Sequence, residues 1–169
     1  MRARPRRLII PLLVAVAVAP PPAGASVAAQ RPVIPQVSIR GVRPGMTPAE
    51  VRSAVGRAPD GSSTAPHPIL GRVRVWRFGG LRVVFDGVRA GRTVLSVSSA
   101  ASQDRTSGGV GRGTTEVVLR ARVPGAQCAT EYGYRHCWVG VHRAGRIVTD
   151  FSLSRRGRVT RVTLGRVVD

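Results

Sequence analysis

The chain has 169 residues, 43% of them hydrophobic, and sets 27 basic residues against eight acids for a net charge of +19. All of the non-histidine basic residues are arginines, and they are scattered singly through the chain. No recognised nucleic-acid module accompanies them, so nucleic acid is not an expected partner. The expected ones are a protein or an anionic envelope polymer.

Residues 1–29 read as a signal peptide. Met1–Arg7 is basic, Leu8–Ala19 is apolar and small residues follow, the tripartite pattern of an exported protein. The apolar run is too short to span a bilayer well, and Pro11 inside it argues against a retained anchor. Cleavage after Ala25 or after Ala29 satisfies the small-x-small rule. Roughly 140 residues then remain, enough for one domain with its own core. No stable membrane span is expected after cleavage, which places the protein outside the cytoplasm, secreted or in the cell envelope. Residues 30–38 form a proline-rich tether, whose end, from Val37, alternates as a short strand.

A pattern then occurs twice. Gly41–Arg52 is a glycine turn, a threonine cap and a short apolar helix, and Gly109–Arg120 repeats it. In the first copy Thr47 stands at the N-cap, Pro48 at the first helical position and Glu50 three residues after the cap. This is a capping box, with Met46 and Val51 at the positions of a hydrophobic staple. Thr115 caps the second copy, where Val118 stands in place of the box glutamate. The duplication divides the mature chain into a first repeat, 39–99, a linker, 100–108, and a second repeat, 109–169.

Within the first repeat the helix ends at Gly56 and Pro59, and Pro59–Pro68 reads as a loop. Arg72–Phe78 and Leu81–Asp86 are strands joined by Gly79-Gly80, a two-residue hairpin signal, and Thr93–Ser99 is a third. In the second repeat Pro124-Gly125 ends the helix, Cys128–Cys137 brackets a loop, and strands read His136–His142, Arg146–Leu153 and Arg158–Leu164. Leu81, Val83 and Phe85, like Ile147, Thr149, Phe151 and Leu153, share one face. The expected fold class is α+β: two tandem repeats of a short helix plus a three-strand antiparallel meander, forming a sheet of about six strands with both helices on one face.

Cys128 and Cys137 fit a disulfide of an oxidising compartment, worth about 2.7 kcal/mol by loop entropy. His136 and His142 lie near, but the spacing is not that of a zinc site, and no metal or cofactor is expected. No Gly-x-Ser-x-Gly elbow occurs. The glycines of Gly108–Gly113 follow a polar stretch and lack the Gly-Lys-Ser/Thr of a phosphate loop. The protein is therefore read as non-enzymatic.

Gly45-Met46-Thr47-Pro48-Ala49-Glu50-Val51, with Gly56, Pro59 and Trp76-Arg77-Phe78, resembles the BamE-like (SmpA/OmlA) domain. Two such units with a disulfide are similar to the β-lactamase-inhibitor-protein fold. The resemblance covers roughly residues 39–166 and implies envelope units that bind other proteins without enzyme activity. Unlike outer-membrane lipoproteins of that family, the chain has no cysteine to lipidate near its leader. Trp76 and Trp138 are either core residues or anchors exposed on the sheet face away from the helices. Parity does not decide, because Val73 and Val75 oppose Trp76. In the exposed case Trp76, Arg82, Trp138 and His142 are the partner-binding residues. The expected function is an exported protein- or polyanion-binding module, with inhibition of a secreted enzyme as the alternative.

Overall fold

A computed structural model describes residues 31–87 and 92–168. The signal peptide expected over residues 1–29 lies outside them. The elements run β1 (Arg31–Ile34), β2 (Ser38–Ile39), α1 (Pro48–Val55), β3 (Gly61–His67), β4 (Gly71–Phe78), β5 (Leu81–Phe85), β6 (Val94–Ser99), β7 (Asp104–Arg105), α2 (Glu116–Arg122), β8 (Gln127–Glu131), β9 (Tyr134–Val139), β10 (Ile147–Leu153) and β11 (Val159–Arg166). One antiparallel sheet of eight strands, in the order β3-β4-β5-β6-β11-β10-β9-β8, dominates, beside a small sheet of order β2-β1-β7.

The α+β expectation of short helices each followed by a three-strand meander is therefore corrected. Among the described residues the molecule is mostly β, 47% strand against 11% helix. Two stretches read as loops are strands. Pro59–Pro68 contains β3, and the Cys128–Cys137 loop is the hairpin β8–β9. Both lie at the outer edges of the sheet. An edge strand pairs on one side only and tolerates proline, so Pro66 fits in β3 despite its missing N–H. The stretch read as a tether differs too, since Arg31–Ile34 pairs as β1 with β2 and β7. β7 itself lies in the stretch read as a linker.

Local chemistry accounts for the helices. The Thr47 hydroxyl accepts from the Glu50 N–H while the Glu50 carboxylate takes the Thr47 N–H at 2.7 Å, completing the capping box. Gly56 ends α1 in the left-handed conformation, which a side chain would resist. Thr115 caps α2 through Val118 N–H. Val51 of α1 and Leu119 of α2 are fully buried in one cluster with Trp76, Phe78, Leu81, Val83, Phe85, Phe151 and Leu164. Both helices thus cover the same sheet face.

The tight turns are equally local. Phe78 pairs with Leu81 across Gly79 and Gly80, whose φ angles of 48° and 84° make the primed turn that matches strand twist. Tyr132 and Gly133, at 47° and 84°, make the equivalent turn between β8 and β9.

A buried ion pair fastens the N-terminal segment. Arg40 Nε donates to both carboxylate oxygens of Asp104, at 2.8 and 2.9 Å, and the guanidinium also reaches the carbonyls of Phe78 and Gly79. Ser99 Oγ donates to the same carboxylate. The network ties β2, the β4–β5 turn, the end of β6 and β7 at one point.

Candidate protein-binding face

The sheet face away from the helices is built by register. On β9, Cys137 and Val139 turn toward the helix-side core, so Tyr134, His136 and Trp138 project from the other face. On β10, Thr149 and Phe151 point inward, leaving Val148, Asp150 and Ser152 outward. The same parity places Arg77 of β4, Arg82 of β5, Ser96 and Ser98 of β6, and Arg161 and Thr163 of β11 on this open face. Val73, Val75, Val84 and Leu95 form a second buried cluster there, packed against Ala65 and Val168.

This second cluster explains why alternation along β4 was ambiguous. Val75 and Trp76 are both buried, on opposite faces. Trp76 is 6% exposed, edge-on to Phe85 with ring centroids 4.9 Å apart and with Arg52 of α1 over its ring. It belongs to the helix-side core, not to an exposed anchor. Trp138 lies half-buried on the open face, so the two tryptophans point to opposite sides of the sheet.

Trp138 is the centre of a stacked ladder. Tyr134 to His136 is 5.3 Å between ring centroids, His136 to Trp138 is 5.1 Å, and Trp138 to His142 is 5.3 Å, the last two nearly parallel. Tyr134 is 52% exposed and Tyr132, at the hairpin tip, fully so. His142, expected within a strand, sits in the loop after β9 and reaches back onto Trp138. Arg82 is exposed on the same open face, several strands away. The structure thus brings Trp138 and His142 together, with Arg82 sharing their face and Trp76 excluded from it.

His136 is held from both sides of its strand. Its Nδ1 lies 2.5 Å from Asp150 Oδ2, and Ser152 Oγ donates to the other carboxylate oxygen at 3.2 Å. A carboxylate only accepts, so Nδ1 carries the proton. Nε2 is buried and makes no hydrogen bond, with Glu131 Oε2 3.5 Å away. Ser152 donates to Asp150 rather than to the imidazole, so the three residues brace a ring and do not activate a hydroxyl. A depression of about 260 Å³ beside them is lined by His67, His142, Asp150, Thr163, Gly165 and Arg166, among others.

Cys128 and Cys137 are bridged, with Cα atoms 4.0 Å apart across directly paired positions of β8 and β9. The sulfurs and Glu116 are the one group of three potential metal ligands among the described residues. The disulfide occupies both sulfurs, and Arg135 holds Glu116 at 2.5 Å. That ion pair and its hydrogen bonds keep the Glu116 carboxyl below the ordinary carboxylate range.

Tyr134, Asp150, Arg77 and Arg161 are not singled out from sequence, and His136 is weighed there only as a metal ligand. The alternation of Tyr134, His136 and Trp138 is the available signal, masked because the strand expected from the sequence begins only at His136. Comparison with protein-family models, with curated proteins and with solved structures gave no match.

Proposed function

We propose that this chain is an exported, non-enzymatic cell-envelope protein that binds a protein partner through the open sheet face. The observation that carries the reading is the ladder Tyr134–His136–Trp138–His142, in which buried His136 and half-buried Trp138 stack between exposed Tyr134 and His142 beside the disulfide. Tyr and Trp fixed in this way dominate interface energetics, because little side-chain entropy remains to be lost on binding. The basic-apolar-small N-terminus and the disulfide support export. The capped turn at Gly45–Val51, which resembles BamE-like domains, supports a binding role rather than catalysis.

A second reading is inhibition of a secreted enzyme. Tyr132 favours it, standing fully exposed at the tip of a hairpin whose strands are cross-linked, a shape that suits insertion into a cleft.

Affinity capture tests the proposal. Immobilised mature chain is incubated with the secreted and envelope fractions of the producing cells, alongside Tyr134→Ala, Trp138→Ala and the helix-side control Val117→Ala. The proposal expects one protein retained by the parent and by Val117→Ala and lost from both ladder variants. Retention by all four chains overturns it.

A further inference from the structure

We propose that Arg77, Arg82 and Arg161 form an anion site on the open face that takes the carboxylates of an acidic polypeptide segment. The inference rests on the reading that a protein docks on this face and names the chemistry of the docking segment.

Register places the three together. Arg77 and Arg82 are directly opposite on β4 and β5. Arg82 pairs with Ser98, and Ser98 with Thr163, two residues beyond Arg161 on the same face of β11. With strands about 4.8 Å apart, the row spans roughly 14 Å from β4 to β11. Like charges directly opposite on a sheet are unfavourable. Partial desolvation by its neighbours, followed by the charges of Arg161 and Arg77, holds the Arg82 guanidinium below its ordinary range.

Nothing within the described residues neutralises this row. Glu50 closes the α1 cap, Asp60 pairs with Arg57, and Asp86 accepts from Thr93. Asp104 pairs with Arg40, Glu116 with Arg135, and Glu131 and Asp150 flank His136. Among the described residues, the only side-chain hydrogen bond made by the three arginines is from Arg77 Nη1 to Ser63 Oγ, at 3.4 Å. Their forks are left free for bidentate contact with carboxylates.

The surroundings favour a polypeptide over a charged polymer. The row is short, and Val75 and Val84 lie beside it on the same face. It also runs into the aromatic ladder, since Arg161 pairs with Ser152 and Ser152 with His136. Arginine next to Tyr and Trp over an apolar floor is the composition of a protein interface. A repeating polyanion would want a longer stripe of charge.

The test uses the mature chain, a fluorescently labelled short polyglutamate peptide and dextran sulfate as the second probe, read by anisotropy at low salt. Variants are Arg82→Gln, the triple Arg77→Gln/Arg82→Gln/Arg161→Gln, and a control pair elsewhere, Arg120→Gln on α2 with Arg155→Gln in the β10–β11 turn. The expected result is binding of polyglutamate, weakened about tenfold by Arg82→Gln, the equivalent of one charge-assisted contact. The triple variant should abolish it and the control pair should leave it nearly unchanged. The Tm of Arg82→Gln should hold or rise, because a repulsion is removed; a residue serving only the fold would lower it. Equal weakening by the control pair overturns the site. So does dextran sulfate binding that depends on the three arginines without polyglutamate binding. Failure here leaves the ladder variants of the capture experiment unaffected, so the two readings fall separately.

Discussion

Removing the Asp104 carboxylate should destabilise the protein more than most single substitutions. Asp104 is 1% exposed and accepts from Arg40 and Ser99. Asp104→Ala leaves the Arg40 guanidinium, itself 8% exposed, with two carbonyl acceptors and no counter-charge. Breaking a buried pair from one side costs about 3–5 kcal/mol, because the remaining charge stays buried. For a domain of this size that corresponds to a fall in Tm of roughly 10–20 °C. Arg40→Ala should cost a similar amount. The double variant should cost much less than the sum, since no orphaned charge is left, giving a coupling of about 2 kcal/mol or more in a double-mutant cycle. Calorimetry or urea unfolding of the four proteins provides the measurement. Additive losses, or a loss below about 1 kcal/mol for Asp104→Ala, would refute the claim that this pair pins the N-terminal segment to the sheet.

Other outcomes follow from the core and the caps. Phe151→Ala empties a fully buried aromatic site on the helix side and should cost about 3–5 kcal/mol by urea unfolding. Thr47→Ala removes one cap and should cost about 1 kcal/mol; an unchanged midpoint would mean that the capping box does not form in solution. The carboxyl of Glu50 is held below its ordinary value of 4.5 by the Thr47 N–H and hydroxyl, and that of Glu116 by Arg135. A depressed carboxylate stabilises the fold above its unfolded value and loses that contribution as pH falls through its folded value. These two groups should therefore make Tm decline as pH falls below about 4.5. Glu116→Gln should make the decline shallower, and an unaltered pH profile would count against the ion pair.

Much of the local structure was legible because single residues dictate it. Thr47 with Glu50 marks a helix start, Gly79-Gly80 marks a two-residue hairpin, and Leu81, Val83 and Phe85 show which face of β5 is buried. The fold class was not legible, for reasons that also lie in particular residues. β3 is Gly-Ser-Ser-Thr-Ala-Pro-His, a sequence with no apolar alternation, and as an edge strand facing solvent it needs none. β8 hides between cysteines, and β1 between prolines. Trp76 could not be placed, because the valines flanking it are buried as well, on the other face. The Arg40–Asp104 pair joins positions 64 apart, one at the end of an expected short strand and one in an expected linker. The open face became visible only once register set Tyr134, His136 and Trp138 on one side of β9.

Side-chain oxidation footprinting tests the central claim most directly. The mature chain, alone and with its captured partner, is exposed to hydroxyl radicals and read by mass spectrometry. A partner on the open face should lower oxidation of Tyr134 and Trp138 severalfold and leave Val117 of α2, 78% exposed in the free chain, as reactive as before. Protection of Val117 with Tyr134 and Trp138 unchanged would place the partner on the helices and contradict the account.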